Sequence, residues 1–252
     1  EKIKTFSKFY TLWMNTNYKF NYKFNLFIIC FLRKFKMKVF LNFKTYETTT
    51  GQNAINLAKI CNKYQKEVVV IPQTTDIYPI SRMVKNKVFA QHADNIKFGS
   101  CTGFILPESV KEAGASGCLI NHSEHLLKLA DIETLVEKMR NLNLISVVCT
   151  NNVAVSVSSA ALNPDFIAIE PPELIGSGKA VSNENPKIIT DTIKDVRKIN
   201  GRVKILCGAG ISNGKDVRTA IKLGVDGVLL ASAFTNAKNP EIVLDDMVSG
   251  ID

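Results

Sequence analysis

The stretch VKILCGAGISNGKDVRTAIKLGVDGVLLAS, residues 203–232, gives the clearest indication of the fold class. It holds two short apolar segments, VKIL at 203–206 and GVLL at 227–230, on either side of an amphipathic stretch at 214–223. Short apolar runs that alternate with helical periodicity are typical of βα units around a parallel sheet. We therefore interpret this stretch as a strand, a helix and the next strand.

The same alternation runs through the whole chain from Met37 onward. Eight strands are predicted, at 38–43, 67–71, 88–91, 117–120, 145–149, 166–169, 203–206 and 227–230. The clearest helices are predicted at 51–65, 107–114, 131–143, 153–162, 186–199, 214–223 and 239–248. The connection between the third and fourth strands shows little helical pattern. Eight βα units in this length predict a single compact (β/α)8 barrel of the α/β class.

A doubly wound open sheet is the alternative fold. Such a sheet would carry a glycine-rich turn after its first strand, whereas this chain has NFKTYE at 42–47. No linker or change of composition interrupts residues 37–252, so we expect this range to form one barrel domain.

Residues 1–36 differ in composition from the rest of the chain. They hold eight lysines and arginines against one acid, whereas residues 37–252 carry 24 basic and 22 acidic residues. Because the body of the chain is nearly neutral, we expect no nucleic-acid partner. The apolar run LFIICFL is too short to span a bilayer. We expect residues 1–36 to be an extension outside the barrel domain, disordered or translated from upstream sequence, with Met37 as the true start.

Membrane binding by this basic, aromatic segment is a second hypothesis, in which the protein is not an enzyme.

The positions of the cysteines indicate the cellular compartment. Cys118, Cys149 and Cys207 lie in or beside predicted strands, and the chain has no C-x-x-C pair. This pattern favours buried reduced thiols in a cytoplasmic protein over a disulfide framework or a zinc site.

The segment EPPELIGSG, residues 170–178, follows the sixth predicted strand. Two prolines stiffen one end of it, and two glycines at the other end allow a wide change of backbone angles. Leu174 and Ile175 supply an apolar face that could exclude water. We interpret the segment as a lid beside a general base, Glu170, whose pKa rises when water is removed.

Polar residues that follow other strands are further candidates, because the carboxyl ends of barrel strands carry the site. Asn42 and Lys44 end the first strand, where the lysine charge could serve an anionic substrate or an oxyanion. His122 follows the fourth strand at the start of a possible helix, whose dipole would keep the imidazole neutral. We interpret His92 and His125 as structural.

Two loops of small residues follow the seventh and eighth strands, at 207–211 and 231–233. Loops at these positions, with free backbone N–H groups, commonly bind phosphate in this type of barrel. Lys204 in the seventh strand supports an alternative, a phosphate-binding barrel enzyme such as an aldolase that forms a Schiff base.

Five motifs occur in a characteristic order along the chain. They are NFKTY at 42–46, NHSE at 121–124, EPPELIGSG at 170–178, LCGAGIS at 206–212 and LLAS at 229–232. Together they resemble the triosephosphate isomerase family in its shorter archaeal form. The resemblance covers 37–252 and leaves out 1–36.

The resemblance implies specific roles. Glu170 would be the base, His122 a neutral electrophile and Lys44 the stabilising charge, with Glu124 as a supporting carboxylate. The substrate-binding residues it implies are Asn42, Phe43, Lys44, Ile175, Gly176, Gly210, Ala231 and Ser232.

The implied reaction interconverts D-glyceraldehyde 3-phosphate and dihydroxyacetone phosphate through an enediolate, in glycolysis and gluconeogenesis. The implied partners are a small phosphorylated triose and other copies of the chain, in a homotetramer or homodimer, with no metal or redox cofactor and no membrane. Two residues depart from the family pattern: Ser177 replaces a threonine in the lid, and Ala233 replaces a glycine after the Ala-Ser pair. An added Cβ at 233 could crowd the phosphate or prevent a positive φ.

Overall fold

The computed structural model describes residues 38–251, in which eight parallel strands close into a barrel. Each strand pairs with the next, and β8 pairs with β1. The strands are β1 Lys38–Asn42, β2 Val68–Ile71, β3 Lys87–Ala90, β4 Gly117–Ile120, β5 Ile145–Thr150, β6 Phe166–Ile169, β7 Lys204–Cys207 and β8 Gly227–Leu230. Each boundary lies within one residue of its prediction, and the predicted barrel is confirmed over the open sheet. The predictions for residues 1–36 and for a start at Met37 lie outside the described residues.

Helices connect the strands around the outside of the barrel. In the described range the α-helices are Gln52–Cys61, Ile77–Met83, Pro107–Glu112, Leu129–Asn141, Val153–Ala160, Val181–Glu184, Pro186–Ile199, Gly214–Lys222, Ser232–Thr235 and Pro240–Ser249. Short 3-10 turns occupy Glu47–Thr49, Asn62–Tyr64, Thr74–Asp76 and Pro172–Leu174. Within residues 38–251, every helix falls short of the length and apolar content needed to cross a membrane.

All the predicted helices are present, and one full helix was missed. Ile77–Met83 follows β2 and contains Pro79, which resembles a helix breaker in sequence. The proline lies in the first turn, where its missing N–H would have no intrahelical partner in any case. Side-chain caps mark other helix starts: Asn152, Asn185 and Asn213 each accept a hydrogen bond from the backbone N–H three residues later.

The interior of the barrel is filled by side chains from alternate strand positions. Phe40 of β1 lies with its ring edge-on to Phe89, at 5.7 Å, and to Phe166, at 5.4 Å. Its neighbours Val39 and Leu41 belong instead to the larger core between the strands and the helices. This alternation is the period of two that a strand imposes on its side chains.

The same alternation brings polar residues to one end of the barrel. Phe166 and Ala168 of β6 point into the barrel, so the next residue in that series is Glu170. On β1, Asn42 follows Phe40 in the same way. Since all the strands are parallel, these positions meet at the carboxyl rim, where the barrel opens.

The connection between β3 and β4 is irregular, as predicted. Residues 91–106 contain no helix or strand in the structure. Asp94 ties the two ends of this loop together: its Oδ2 accepts a hydrogen bond from the Ile105 N–H at 2.6 Å, and its own N–H donates to the Ile105 carbonyl at 2.8 Å. The loop is therefore held in place without a helix of its own.

Gly117 provides a test of the packing inside the barrel. A Cβ at this position would lie 2.5 Å from the Phe89 ring and 2.6 Å from the Ile145 carbonyl oxygen. We expect Gly117→Ala to lower the free energy of unfolding by about 1–3 kcal/mol or more, because the core cannot accept the added methyl group. Urea denaturation measures this change. Gly201→Ala is the control, since the nearest atom there is 3.8 Å away; equal stability of the two variants would contradict the packing described.

Candidate active site

A cavity of about 230 Å³ opens at the carboxyl rim of the barrel. The predicted catalytic residues Glu170, His122 and Lys44 all line it, and so does Asn42. The residues predicted to bind phosphate line it as well: Ile175, Gly176, Gly210, Ala231 and Ser232. The structure therefore brings together residues from five separate loops around one space.

Two predicted site residues do not line the cavity. Phe43 is fully buried, and its ring packs 6.4 Å from that of Phe234. Glu124 is half exposed outside the cavity, but its Oε1 accepts a hydrogen bond from Lys44 Nζ at 2.6 Å. Phe43 therefore contributes packing beneath the site, and Glu124 contacts the lysine rather than the cavity.

Lys44 has an unusual backbone. Its φ is 51°, in the left-handed region that a residue with a Cβ rarely adopts. Two side chains hold this conformation: the Lys44 N–H donates to Asn42 Oδ1 at 3.0 Å, and its carbonyl accepts from Gln91 Nε2 at 2.9 Å. Sequence reasoning missed Gln91, because a lone glutamine after a strand carries no signal of its own.

The His122 ring has a defined proton position. Its Nδ1 accepts a hydrogen bond from the Glu124 backbone N–H at 3.2 Å. The proton of the neutral ring therefore lies on Nε2, which is 3.6 Å from Glu170 Oε2. Burial lowers the pKa of His122, against the opposing effect of the Glu124 charge and with a smaller lowering effect of the Lys44 charge. The helix expected here begins only at Leu129, so burial and not a helix dipole keeps the ring neutral.

Glu170 is a buried carboxyl group with one unsatisfied oxygen. Its side chain is 9% exposed, and among the described residues Oε2 has no hydrogen-bond partner. Burial raises the pKa of Glu170 to about 7, against the opposing effect of the Lys44 charge. Gly208 makes room for the group, since a Cβ there would lie 2.7 Å from Oε1. A carboxyl group with a pKa near neutral is suited to take and return a proton.

The segment interpreted as a lid, residues 171–178, follows β6, and its residues Ile175, Gly176 and Gly178 line the cavity. Its first part forms the 3-10 turn Pro172–Leu174, and both Gly176 and Gly178 have a φ of 71°. These two glycines adopt a left-handed backbone that other residues rarely reach. The Ser177 hydroxyl donates to the Leu174 carbonyl at 2.8 Å and accepts from the Lys179 N–H at 3.1 Å. The serine thus uses its hydroxyl group within the lid.

The loop after β7 packs closely against the residues that follow the lid. Gly210 has a φ of 77°, and the space that its Cβ would need is filled by the Lys179 carbonyl. One residue away, the Val181 N–H donates to the Ala209 carbonyl at 3.1 Å. A residue with a Cβ at 210 would overlap the Lys179 carbonyl. Glycine at this position therefore allows the loop after β7 to pack against the residues that follow the lid.

The loop after β8 leads directly into the short helix Ser232–Thr235. The first N–H groups of a helix have no partner inside it and can bind an anion. Ala233 lies in this helix without a positive φ, so its backbone does not need a glycine. Ala233 lines the cavity. The other effect expected of this alanine, crowding of a bound phosphate by its methyl group, stays a prediction.

Ala209 and Ile211 line the cavity as parts of the loop at 207–211 that was predicted to bind phosphate. Other lining residues were not predicted individually, among them Tyr46, Gly178 and Ser212. These residues are close in sequence to predicted ones, and they face the cavity because of the way the loops fold. Lys204, the candidate for a Schiff base, begins β7 at the opposite end of the barrel, with Nζ 5.2 Å from the Phe166 ring. His92 stacks on His125 at 3.8 Å, and neither ring lines the cavity.

Comparison with known proteins gives a consistent result. The family model described as triosephosphate isomerase matches residues 37–249. The triosephosphate isomerase of Methanobacterium bryantii is 52% identical over 217 residues, which cover 84% of this chain and 96% of that protein. The enzyme of Methanothermus fervidus is 48% identical, covering 84% and 97%. That of Methanocaldococcus jannaschii is 48% identical, covering 85% and 100%.

Burial of Glu170 predicts a pH-dependent effect on stability. Its folded pKa of about 7 lies above the ordinary value of 4.5, so between these pH values the folded state binds more protons than the unfolded state. The free energy of unfolding therefore falls as the pH rises through this range. We expect Glu170→Gln to be more stable than the parent at pH 8, by up to roughly 3 kcal/mol, and nearly equal to it at pH 5.

Thermal and urea denaturation at the two pH values measure this difference. Glu173→Gln is the matched control, since Glu173 is exposed on the lid. We expect the stability difference between Glu170→Gln and the parent to change with pH. A constant difference would contradict the raised pKa of Glu170.

Proposed function

The chain belongs to the triosephosphate isomerase family, and on that premise we propose that its cavity interconverts D-glyceraldehyde 3-phosphate and dihydroxyacetone phosphate with Glu170 as the base. The observation that carries this proposal is the pair formed by Glu170 and His122. A buried carboxyl group with a pKa of about 7 lies 3.6 Å from the Nε2 of a neutral imidazole. A base and a hydrogen-bond donor side by side are the groups needed to move a proton between adjacent carbons.

In the proposed reaction, Glu170 removes the proton from the carbon next to the substrate carbonyl. The electron pair of that C–H bond forms the carbon–carbon double bond of an enediolate, and negative charge moves to the carbonyl oxygen. Glu170 then returns the proton to the neighbouring carbon, which had carried the carbonyl group. The hydroxyl proton on the first carbon passes to the oxygen of the second, so that a carbonyl group forms on the first carbon and a hydroxyl group on the second. Oε2 supports this role, because it accepts no hydrogen bond from residues 38–251 and is available there to take the proton.

His122 and Lys44 would stabilise the charge that develops on oxygen. The His122 Nε2–H can donate to the carbonyl oxygen and needs no change of tautomer, since Nδ1 already accepts from the backbone. Lys44 contributes its positive charge from a side chain that is 13% exposed, where Glu124 orients it. Charge stabilisation in a site with little water is worth more than the same contact in solution.

Phosphate binding is proposed for the backbone of the loops after β6, β7 and β8. Ile175 and Gly176 of the lid, Gly210 after β7, and Ala231 with Ser232 after β8 all line the cavity. Apart from Ile175 these residues are small, which allows a phosphate group to approach the N–H groups closely. Binding at the lid would also close it over the reacting carbons, which excludes water from the enediolate.

We further propose that the chain forms a homodimer or homotetramer and works in the cytoplasm. Four large apolar side chains are exposed on the two neighbouring loops after β3 and β4 and at the start of the next helix: Phe98 at 76%, Phe104 at 59%, Leu126 at 69% and Leu129 at 55%. Exposed apolar groups concentrated in one region support an interface with another chain. The buried free thiols Cys118, Cys149 and Cys207 fit a reducing compartment.

The assignment of catalytic roles predicts large losses of activity. We expect Glu170→Gln to lower kcat by about 10²–10⁴-fold, as for other general bases. We expect Lys44→Ala to cost on the order of 3 kcal/mol of transition-state stabilisation, or more than about 100-fold in kcat/KM. Steady-state isomerisation of D-glyceraldehyde 3-phosphate measures both. Lys204→Met should keep the parent kcat, and a loss of activity in that variant would instead favour Schiff-base chemistry.

The proposed interface predicts a change in assembly. We expect Phe98→Asp to lower the molar mass measured by light scattering after size exclusion, because the charge disfavours burial of the loop against a second chain. Ile242→Asp is the control, as Ile242 is 66% exposed on the helix Pro240–Ser249. A monomeric parent protein, or an unchanged mass for Phe98→Asp, would reject this interface.

A further inference from the structure

Asp216 is a buried carboxylate that the proposed chemistry does not use. It lies in the first turn of the helix Gly214–Lys222 and is only 5% exposed. Its Oδ2 accepts hydrogen bonds from the N–H and the hydroxyl of Ser212, at 3.0 and 2.9 Å. Its Oδ1 accepts one from Asn183 Nδ2 at 2.9 Å. The carboxylate therefore joins two segments that are far apart in sequence.

These two segments adjoin the region that is proposed to bind phosphate. Ser212 lines the cavity at the end of the loop that follows β7. Asn183 lies in the short helix Val181–Glu184, which begins soon after the lid ends. The same two segments also meet where the Val181 N–H donates to the Ala209 carbonyl and where the Lys179 carbonyl packs on Gly210. Asp216 thus adds side-chain hydrogen bonds to the backbone contacts between the residues that follow the lid and the loop after β7.

A carboxylate suits this position better than an amide would. All three of these partners are donors, and an ionised carboxylate only accepts hydrogen bonds. The N-terminal end of the helix also favours negative charge at its first turn. Asparagine has the same shape, but its NH2 group could face only Asn183, whose amide would have to turn over to accept, and the two donors of Ser212 would then share a neutral amide oxygen, a weaker acceptor than a carboxylate.

We propose that Asp216 is a positioning residue, which fastens the C-terminal end of the lid to the loop after β7 so that both hold the substrate phosphate together. This inference rests on the proposed function, because it assumes that the phosphate binds between these two segments. Asp216 itself does not touch the substrate. It acts through the backbone of Ser212 and through the anchor of the lid.

The test compares a substrate that has a phosphate group with one that lacks it. We expect Asp216→Asn to lower kcat/KM for D-glyceraldehyde 3-phosphate on the order of tenfold, the effect of breaking a buried hydrogen bond to a charged group. The slow isomerisation of D-glyceraldehyde, which has no phosphate, should stay within about twofold of the parent. General loss of structure would lower both rates. The ratio of the two kcat/KM values therefore distinguishes a loss of phosphate positioning from a loss of folded protein.

Asp165→Asn is the matched control. Asp165 Oδ2 also accepts from the N–H and the hydroxyl of a serine, Ser146, at 2.9 and 3.0 Å, but at the opposite end of the barrel. We expect this variant to keep the parent ratio of the two rates. A milder variant, Asn183→Ala, removes only the bond on the lid side and should lower the ratio in the same direction by a smaller factor.

Binding of inorganic phosphate, measured by titration calorimetry, provides a readout that does not depend on turnover. We expect the dissociation constant to rise on the order of tenfold in Asp216→Asn and to stay unchanged in Asp165→Asn. Equal phosphate binding in the parent and Asp216→Asn, or equal losses for both substrates, would overturn the role of Asp216. A parent protein that binds phosphate but does not isomerise the triose phosphate would overturn the proposed function instead.

Discussion

Pairing of β8 with β1 is the constraint on which the rest of the structure depends. Lys38 lies opposite Gly227 and Leu41 opposite Leu230, so the last strand closes the sheet that the first one began. The closure leaves no free sheet edge and gathers the carboxyl ends of all eight strands on one rim. It also demands close contact, because a Cβ at Gly227 would lie 2.6 Å from the Lys38 carbonyl oxygen.

The site on this rim is locally unfavourable in ways that the barrel offsets. Glu170 is buried with no hydrogen bond to Oε2 from the described part of the chain, and Lys44 has a left-handed backbone. Such features persist only where the surrounding structure holds them, and they cluster at functional sites. Here the surroundings are strand ends packed over a fully buried core, which includes Phe40 and Phe89. The stable barrel thus keeps a carboxyl group with a raised pKa next to a neutral imidazole.

The strands and most helices could be predicted because their signals are local. Apolar residues repeat with the period of each element, and Asn or Pro marks the starts of helices such as Val153–Ala160 and Pro186–Ile199. The helix Ile77–Met83 was missed because a proline in the first turn has the same appearance as a breaker. Phe43 was expected to contact the substrate but is buried, since it continues the series of Val39 and Leu41, whose side chains face the core between the strands and the helices.

By itself, the sequence determined the order of the strands, the residues at their carboxyl ends and the family to which they belong. These features follow from residue type and spacing along the chain. The tertiary structure alone decided that Glu170 has a pKa of about 7, that His122 carries its proton on Nε2, and that Gln91 and Asp216 hold neighbouring loops. Each of these depends on burial or on contacts between residues distant in sequence, and neither is defined until the barrel has closed.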